Sequence, residues 1–310
     1  MTDSLLCGWR VRSSLSLPEL LPWTGDDRPP DLTIAEGSVP DRLEDLVFSG
    51  VLLQIGRDGS SRFALPNVAA YHVDAVGRTV TIAPAPGVHD PAVRAFLFGS
   101  VLGILCQRRG LLPLHACCVR FESPEGPYAV AFSAASGTGK STLAAGFRRK
   151  GHEILADDLT VLDLVEGSVM VRPSFPRVKL WRDVLVSQGW PIDELERVRS
   201  DLEKYCLPLA EGFCRESLPL RAICHVARVR DERHLQQRSL RGMAAVTQLG
   251  QAVYHDRTMM RFAGGAKRLF EAVTRFAAAV PQHHRIAFLE GLDRLDETIG
   301  SLNMLSRAGQ

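Results

Sequence analysis

Residues 129–163 read AVAFSAASGTGKSTLAAGFRRKGHEILADDLTVLD, and this stretch decides the fold. The apolar segment Tyr128–Ser133 suits a short strand. AASGTGKST follows it, and then LAAGFRRKG, a helix pattern with basic residues in its last turn and Gly151 as its stop. A loop that wraps a triphosphate must turn consecutive backbone N–H groups inward, and Gly137 and Gly139 permit the close approach and unusual φ values this needs. The helix behind the loop presents free amides and the positive end of its dipole. Lys140 reaches the β and γ phosphates and Ser141 offers a hydroxyl to Mg²⁺. The pattern G-x-x-x-x-G-K-[ST] departs at one place, Ala134, where the first glycine belongs; if positive φ were required there, alanine would cost about 1–2 kcal/mol. Ser136, Gly137, Thr138, Gly139, Lys140, Ser141 and Thr142 are thus the candidate nucleotide-binding residues. A glycine- and serine-rich turn with no ligand is the plain alternative, and the strand and helix on either side speak against it.

The stretch closes on two aspartates. A right-handed crossover through the helix lays His152–Ala156 parallel to the first strand, so both strands end at the same sheet edge and Asp157 and Asp158 face the phosphates. One carboxylate there serves a magnesium ion; a second can accept the proton of an attacking hydroxyl. The bland reading makes the second aspartate a turn residue.

Outward from this unit, the first third of the chain is β-rich. Strands are expected near Val51–Ile55, Ser61–Leu65, Val68–Val73 and Thr79–Ile82, after an irregular, Pro/Gly/Asp-rich connection over residues 24–42. AFLFGSVLGILC, Ala95–Cys106, reads as a buried helix with Asp90 as N-cap, Pro91 at the first helical position and Gly110 as its stop. It falls short of the roughly 18 residues that cross a bilayer. The expected organisation is therefore residues 1–109, a β-rich N-terminal domain ending in a buried helix, and residues 110–310, an α/β domain. Within the second, TVLDLVEGSVMVRP reads as a hairpin turning at Glu166 and Gly167, and Ala222–Val229 as a buried strand. Leu269, Val273, Phe276 and Val280 recur at helical spacing, as do Leu289, Leu292, Leu295 and Ile299.

A net charge of +2 over 310 residues disfavours nucleic acid as the main partner. Seven cysteines without a C-x-x-C pair make neither a disulfide framework nor a zinc site. The N-terminus carries no signal-peptide pattern, so a cytoplasmic protein without membrane association is expected.

Three islands in order resemble the HPr kinase/phosphorylase family: Ser136, Gly137, Gly139, Lys140 and Ser141; then Lys150, Gly151 and His152; then Ala156, Asp157 and Asp158. His115 stands where that family places a histidine before the loop strand. The resemblance spans Leu112–Leu164. It implies a P-loop kinase domain of the HPr kinase/phosphoenolpyruvate carboxykinase-like type, using ATP and Mg²⁺. It also implies Asp157 as catalytic base assisted by His115, with Asp158 and Ser141 near the metal. The family's second, glycine-rich signature is replaced by VRPSFPRVKLWRDVL, so neither reversal of phosphorylation nor HPr as substrate is expected. With its β-rich front part, the chain is more similar to the HPr-kinase-like proteins encoded with ribosomal peptide clusters, including lasso peptide kinases. Their implied substrate is a serine of a precursor peptide.

Arg177 and Lys179 alternate with apolar residues on one face of a strand and could meet the γ-phosphate or the peptide; Arg177 joins the nucleotide-binding set. Cys117 and Cys118 point to opposite faces of a strand and have no assigned role, and His283, His284 and Arg285 read as a surface strand start. The leading function is an ATP-dependent kinase acting on a serine of a peptide or protein, in a chain that could form homo-oligomers. A nucleotide-driven switch without transfer and a small-molecule kinase are the alternatives. The paired aspartates with His115 favour transfer, because a switch needs no base.

Overall fold

The computed structural model describes residues 1–198, 202–209, 211–229, 236–254, 261, 265–289 and 291–307. The protein is mixed α/β with two large sheets. It divides into two compact units, Met1–Leu112 with His255–Ala272, and Pro113–Tyr254 with Val273–Gln310.

The first unit is a nine-stranded sheet. Its strands are β1 (Thr2–Leu6), β2 (Trp9–Ser13), β3 (Leu21–Pro22), β4 (Leu32–Glu36), β5 (Leu46–Ser49), β6 (Leu53–Gly56), β7 (Ser61–Leu65), β8 (Ala69–Val73) and β9 (Thr79–Pro84), in the order 3-1-2-4-9-8-7-6-5. Alternation buries one face, as in β8, where Ala69, Tyr71 and Val73 point inward. Residues 24–42 are not wholly irregular: Leu32 and Ile34 bury there, and β4 runs parallel to β2 and β9. The apolar segment is helical but interrupted, with α1 (Asp90–Phe96), one π-type turn over Leu97–Val101 and α2 (Leu102–Arg108). Its N-cap is His89 rather than Asp90, which opens the first turn and complements the helix dipole.

The second unit carries the glycine loop. Its main sheet runs β10 (Leu112–Leu114), β14 (Thr160–Val165), β15 (Ser168–Arg172), β18 (Leu218–Val229), β12 (Gly126–Ser133), β11 (Ala116–Ser123), β13 (Ile154–Ala156). β20 (Gln282–Leu289) joins β18 in parallel, and β19 (Gln236–Leu240) joins β20 antiparallel. The hairpin turning at Glu166 and Gly167 and the strand over Ala222–Val229 appear as expected, the strand being buried from Ala222 to Val226 and Arg228 exposed. The crossover differs in one respect. β13 runs in the same direction as β12, yet β11 lies between them, antiparallel to both. Both strands still end at one sheet edge, so the paired aspartates arrive beside the loop.

Helix α3 (Lys140–Arg149) covers this sheet through Phe147, whose ring stacks on Phe132 at 5.2 Å. A two-stranded ribbon, β16 (Arg177–Trp181) and β17 (Lys204–Pro208), flanks α3. Helices α4 (Arg182–Ser187), α5 (Met243–Ala252), α6 (Gly265–Ala279) and α7 (Leu295–Arg307) complete the described elements. The helical spacing of Leu289, Leu292, Leu295 and Ile299 is corrected: Leu289 ends β20, and only Leu295 and Ile299 belong to a helix. No described helix is long and apolar enough to cross a membrane. All seven cysteines are free thiols, with Cys117 and Cys118 fully buried.

Candidate functional site

The glycine loop takes the form its sequence demands. Gly137 (φ +81°) and Gly139 (φ +102°) adopt the left-handed conformations that a β-carbon disfavours, and Gly139 caps α3. Ala134 does not have positive φ, so the missing first glycine costs no strain. Lys140 folds back over the loop, donating to the carbonyls of Ala134 (2.8 Å) and Ala135 (3.2 Å).

The loop and the start of α3 form one wall of a cavity of about 340 Å³. Ser136, Gly137, Gly139, Lys140, Ser141 and Thr142 line it; Thr138 does not, its amide being turned to the Ala135 carbonyl. Opposite stand His115 and Asp158, and the ribbon contributes Lys179, Trp181 and Lys204. Arg177 lies elsewhere: buried, with its guanidinium 4.7 Å over Phe175, it is not on the cavity wall, whereas Lys179, expected on the same strand face, is.

The two aspartates have different surroundings. Asp157 is 2 % exposed, is not on the cavity wall, and accepts the Lys179 amide at 2.9 Å through Oδ2; its Oδ1 has no hydrogen-bond partner among the described residues. Burial, with the charge of Asp158 adding to it, raises its pKa against the pull of the Lys179 amide and the nearby Ser141 hydroxyl. Asp158 faces the cavity, with φ at +71°, a strained conformation for a residue with a side chain. Lys179 Nζ lies 3.2 Å from its Oδ2, and His115 Nδ1 lies 3.3 Å from its Oδ1 and 3.1 Å from its carbonyl. Burial works against its charge, but Lys179 and then His115 outweigh it and hold the carboxyl at about 2. His115 therefore pairs with Asp158, where the sequence had suggested Asp157. Burial, reinforced by Lys140, lowers the His115 pKa, so the imidazole is neutral at pH 7.

Two basic residues on the wall, Lys204 and Arg228, escaped the sequence reading. Lys204 is brought in only by ribbon pairing, opposite Trp181. Arg228 sits so close to the loop that a β-carbon on Gly139 would lie 2.6 Å from its Nη2; the guanidinium could swing aside, so it is φ that requires glycine there. A lone basic residue in a strand carries no signal of such a role.

No family model and no curated protein matches the chain. Among solved structures, it is similar to an HPr(Ser) kinase/phosphatase from Coxiella burnetii, with 10% sequence identity and a TM-score of 0.35 over 64% of this chain and 97% of that one. So loose an overlap pairs no individual residues.

Proposed function

We propose that the chain is an ATP-dependent kinase that transfers the γ-phosphate to a serine hydroxyl of a peptide or protein. Its second unit would be a P-loop kinase domain of the HPr-kinase-like type and its first a separate β-rich domain. A ribosomal precursor peptide, lasso peptides included, is the acceptor class that the sequence resemblance suggests. The supporting observation is the convergence on one cavity of Lys140, the Gly139-capped end of α3, Lys179 and the Asp158–His115 pair.

Backbone amides of the loop and the start of α3 would hold the β and γ phosphates, with Lys140, Lys179 and Lys204 balancing the charge that spreads over the transferring group. The proposed roles of the two aspartates are the reverse of those first expected. Asp158 lines the cavity and stays ionised, so it takes the proton of the incoming serine hydroxyl as that oxygen bonds to the γ-phosphorus and the bond to the β-phosphate oxygen breaks. His115, neutral, orients it.

Ser141 and Asp157 would hold Mg²⁺. The unsatisfied buried Oδ1 of Asp157 fits a hard cation, and an ion held also by phosphates and water needs few protein ligands. An ion held there would supply charge neutralisation for the phosphates. Ser141→Ala and Asp157→Asn should each raise the Mg²⁺ concentration for half-maximal turnover by about tenfold, one hard oxygen being lost in each. Unchanged metal titrations in both variants would move the metal elsewhere.

The pH dependence has a definite sign. As pH falls through the lowered His115 pKa, the imidazole becomes a cation, binds the Asp158 carboxylate more tightly and withdraws it from the hydroxyl. Transfer should therefore be full above, and lost below, an acid limb lying under pH 6.5, the ordinary histidine value. His115→Gln should remove that limb while lowering the rate less than loss of Asp158 does; an unmoved limb would refute this role.

A further inference from the structure

A second cavity of about 370 Å³ in the same unit shares His115 with the first. Its floor includes Ser133, Ala134 and Ala135, the last two being the residues whose carbonyls hold Lys140, so it reaches the back of the phosphate loop. Gln248 and Gln251 of α5 stand on its wall.

The sheet lays a polar row along this floor through Ser133, His225 and Arg285, and the row continues beyond the cavity wall to Arg238. Ser133 of β12 is in register with His225 of β18, His225 with Arg285 of β20, and Arg285 with Arg238 of β19. Residues directly opposed on neighbouring strands share a face. His225 Nδ1 lies 2.8 Å from Ser133 Oγ; the ring is 7 % exposed, and its Nε2 has no partner among the described residues. Arg285 and Arg238 oppose each other, both exposed, and neither has an acidic partner among the described residues. Like charges directly across a strand pair are destabilising. An anion placed there relieves that repulsion.

We propose that this second cavity is the acceptor site, and that the row Ser133, His225, Arg285 and Arg238 receives a serine peptide whose acidic side chain rests on the two arginines while its hydroxyl reaches His115 and Asp158. The proposal rests on the kinase reading above. Two strand spacings separate Ser133 from Arg285, roughly 10 Å, which an extended peptide covers in about three residues. With the serine at His115, which lines this cavity together with Ser133, the carboxylate belongs to an acidic residue at least about three positions away. A small hydroxy acid, with both groups on neighbouring carbons, cannot bridge that span. Gln248 and Gln251 would take the amides of the intervening peptide.

The test is equilibrium binding by fluorescence anisotropy without nucleotide. The probe is a labelled peptide with one serine and an aspartate three residues away on each side, compared with its asparagine counterpart and with unlabelled glycerate as competitor. The aspartate peptide should bind wild type at least about tenfold tighter, and Arg285→Gln and Arg238→Gln should each lose about tenfold, the scale of one charge-assisted hydrogen bond. Equal affinity for the two peptides overturns the site without recourse to any variant. So does unchanged binding in both arginine variants, or displacement of the peptide by glycerate at comparable concentration. Because no transfer is measured, tight acid-dependent binding without serine labelling would keep the site and reject the kinase reading instead.

Discussion

Asp158→Asn should leave ATP–Mg²⁺ bound and lower phosphate transfer by about 10²–10⁴-fold, the usual worth of a positioned proton acceptor. The amide keeps the shape of the carboxylate but cannot take the hydroxyl proton, and it gives up the charge that Lys179 and His115 hold in place. The informative comparison is Asp157→Asn, which should act mainly through the metal requirement, because its carboxylate is buried beside the Ser141 hydroxyl and is not on the wall where the incoming serine would arrive. Steady-state transfer and ATP binding on both variants separate the roles. If Asp157→Asn loses transfer at saturating Mg²⁺ while Asp158→Asn keeps it, the order of roles first suggested by the sequence is restored.

Lys140→Ala should weaken ATP binding by about 10–10²-fold, the loss of a charged hydrogen bond costing on the order of 1.5–3 kcal/mol, and should reduce transfer further still. Burial lowers the lysine's pKa, with Cys117 and the two aspartates opposing, so its ammonium is a desolvated charge already committed to the loop carbonyls. Lys140→Met, which keeps the bulk, separates lost charge from a collapsed loop. Titration calorimetry with ATP–Mg²⁺ provides the check, and wild-type affinity in both variants would refute the loop's role.

The glycine loop, the helix behind it and the hairpin at Glu166–Gly167 were legible because their signals are local: a strand, turn residues and a helix stop lie within a few dozen positions. So were the positions of the aspartates at a strand end, though not their unequal burial, which depends on the Lys179 amide arriving from a ribbon about twenty residues on. The wall residues Lys204 and Arg228 were invisible because pairing between distant strands brings them in. The same holds for Arg285 and Arg238, whose juxtaposition exists only in the register of β19 on β20. Leu289 misled because an apolar residue ending a strand fell by chance into the spacing of the helix that follows.

The central claim is phosphate transfer from ATP, and following γ-labelled ATP with the aspartate-flanked serine peptide as acceptor tests it most directly. The account predicts label on the serine with wild type, stoichiometric with ADP formed, and none above background with Lys140→Ala or Asp158→Asn. Wild type that binds ATP–Mg²⁺ yet labels neither this peptide nor a precursor peptide, with the nucleotide left intact, would contradict it and make the chain a nucleotide-bound switch.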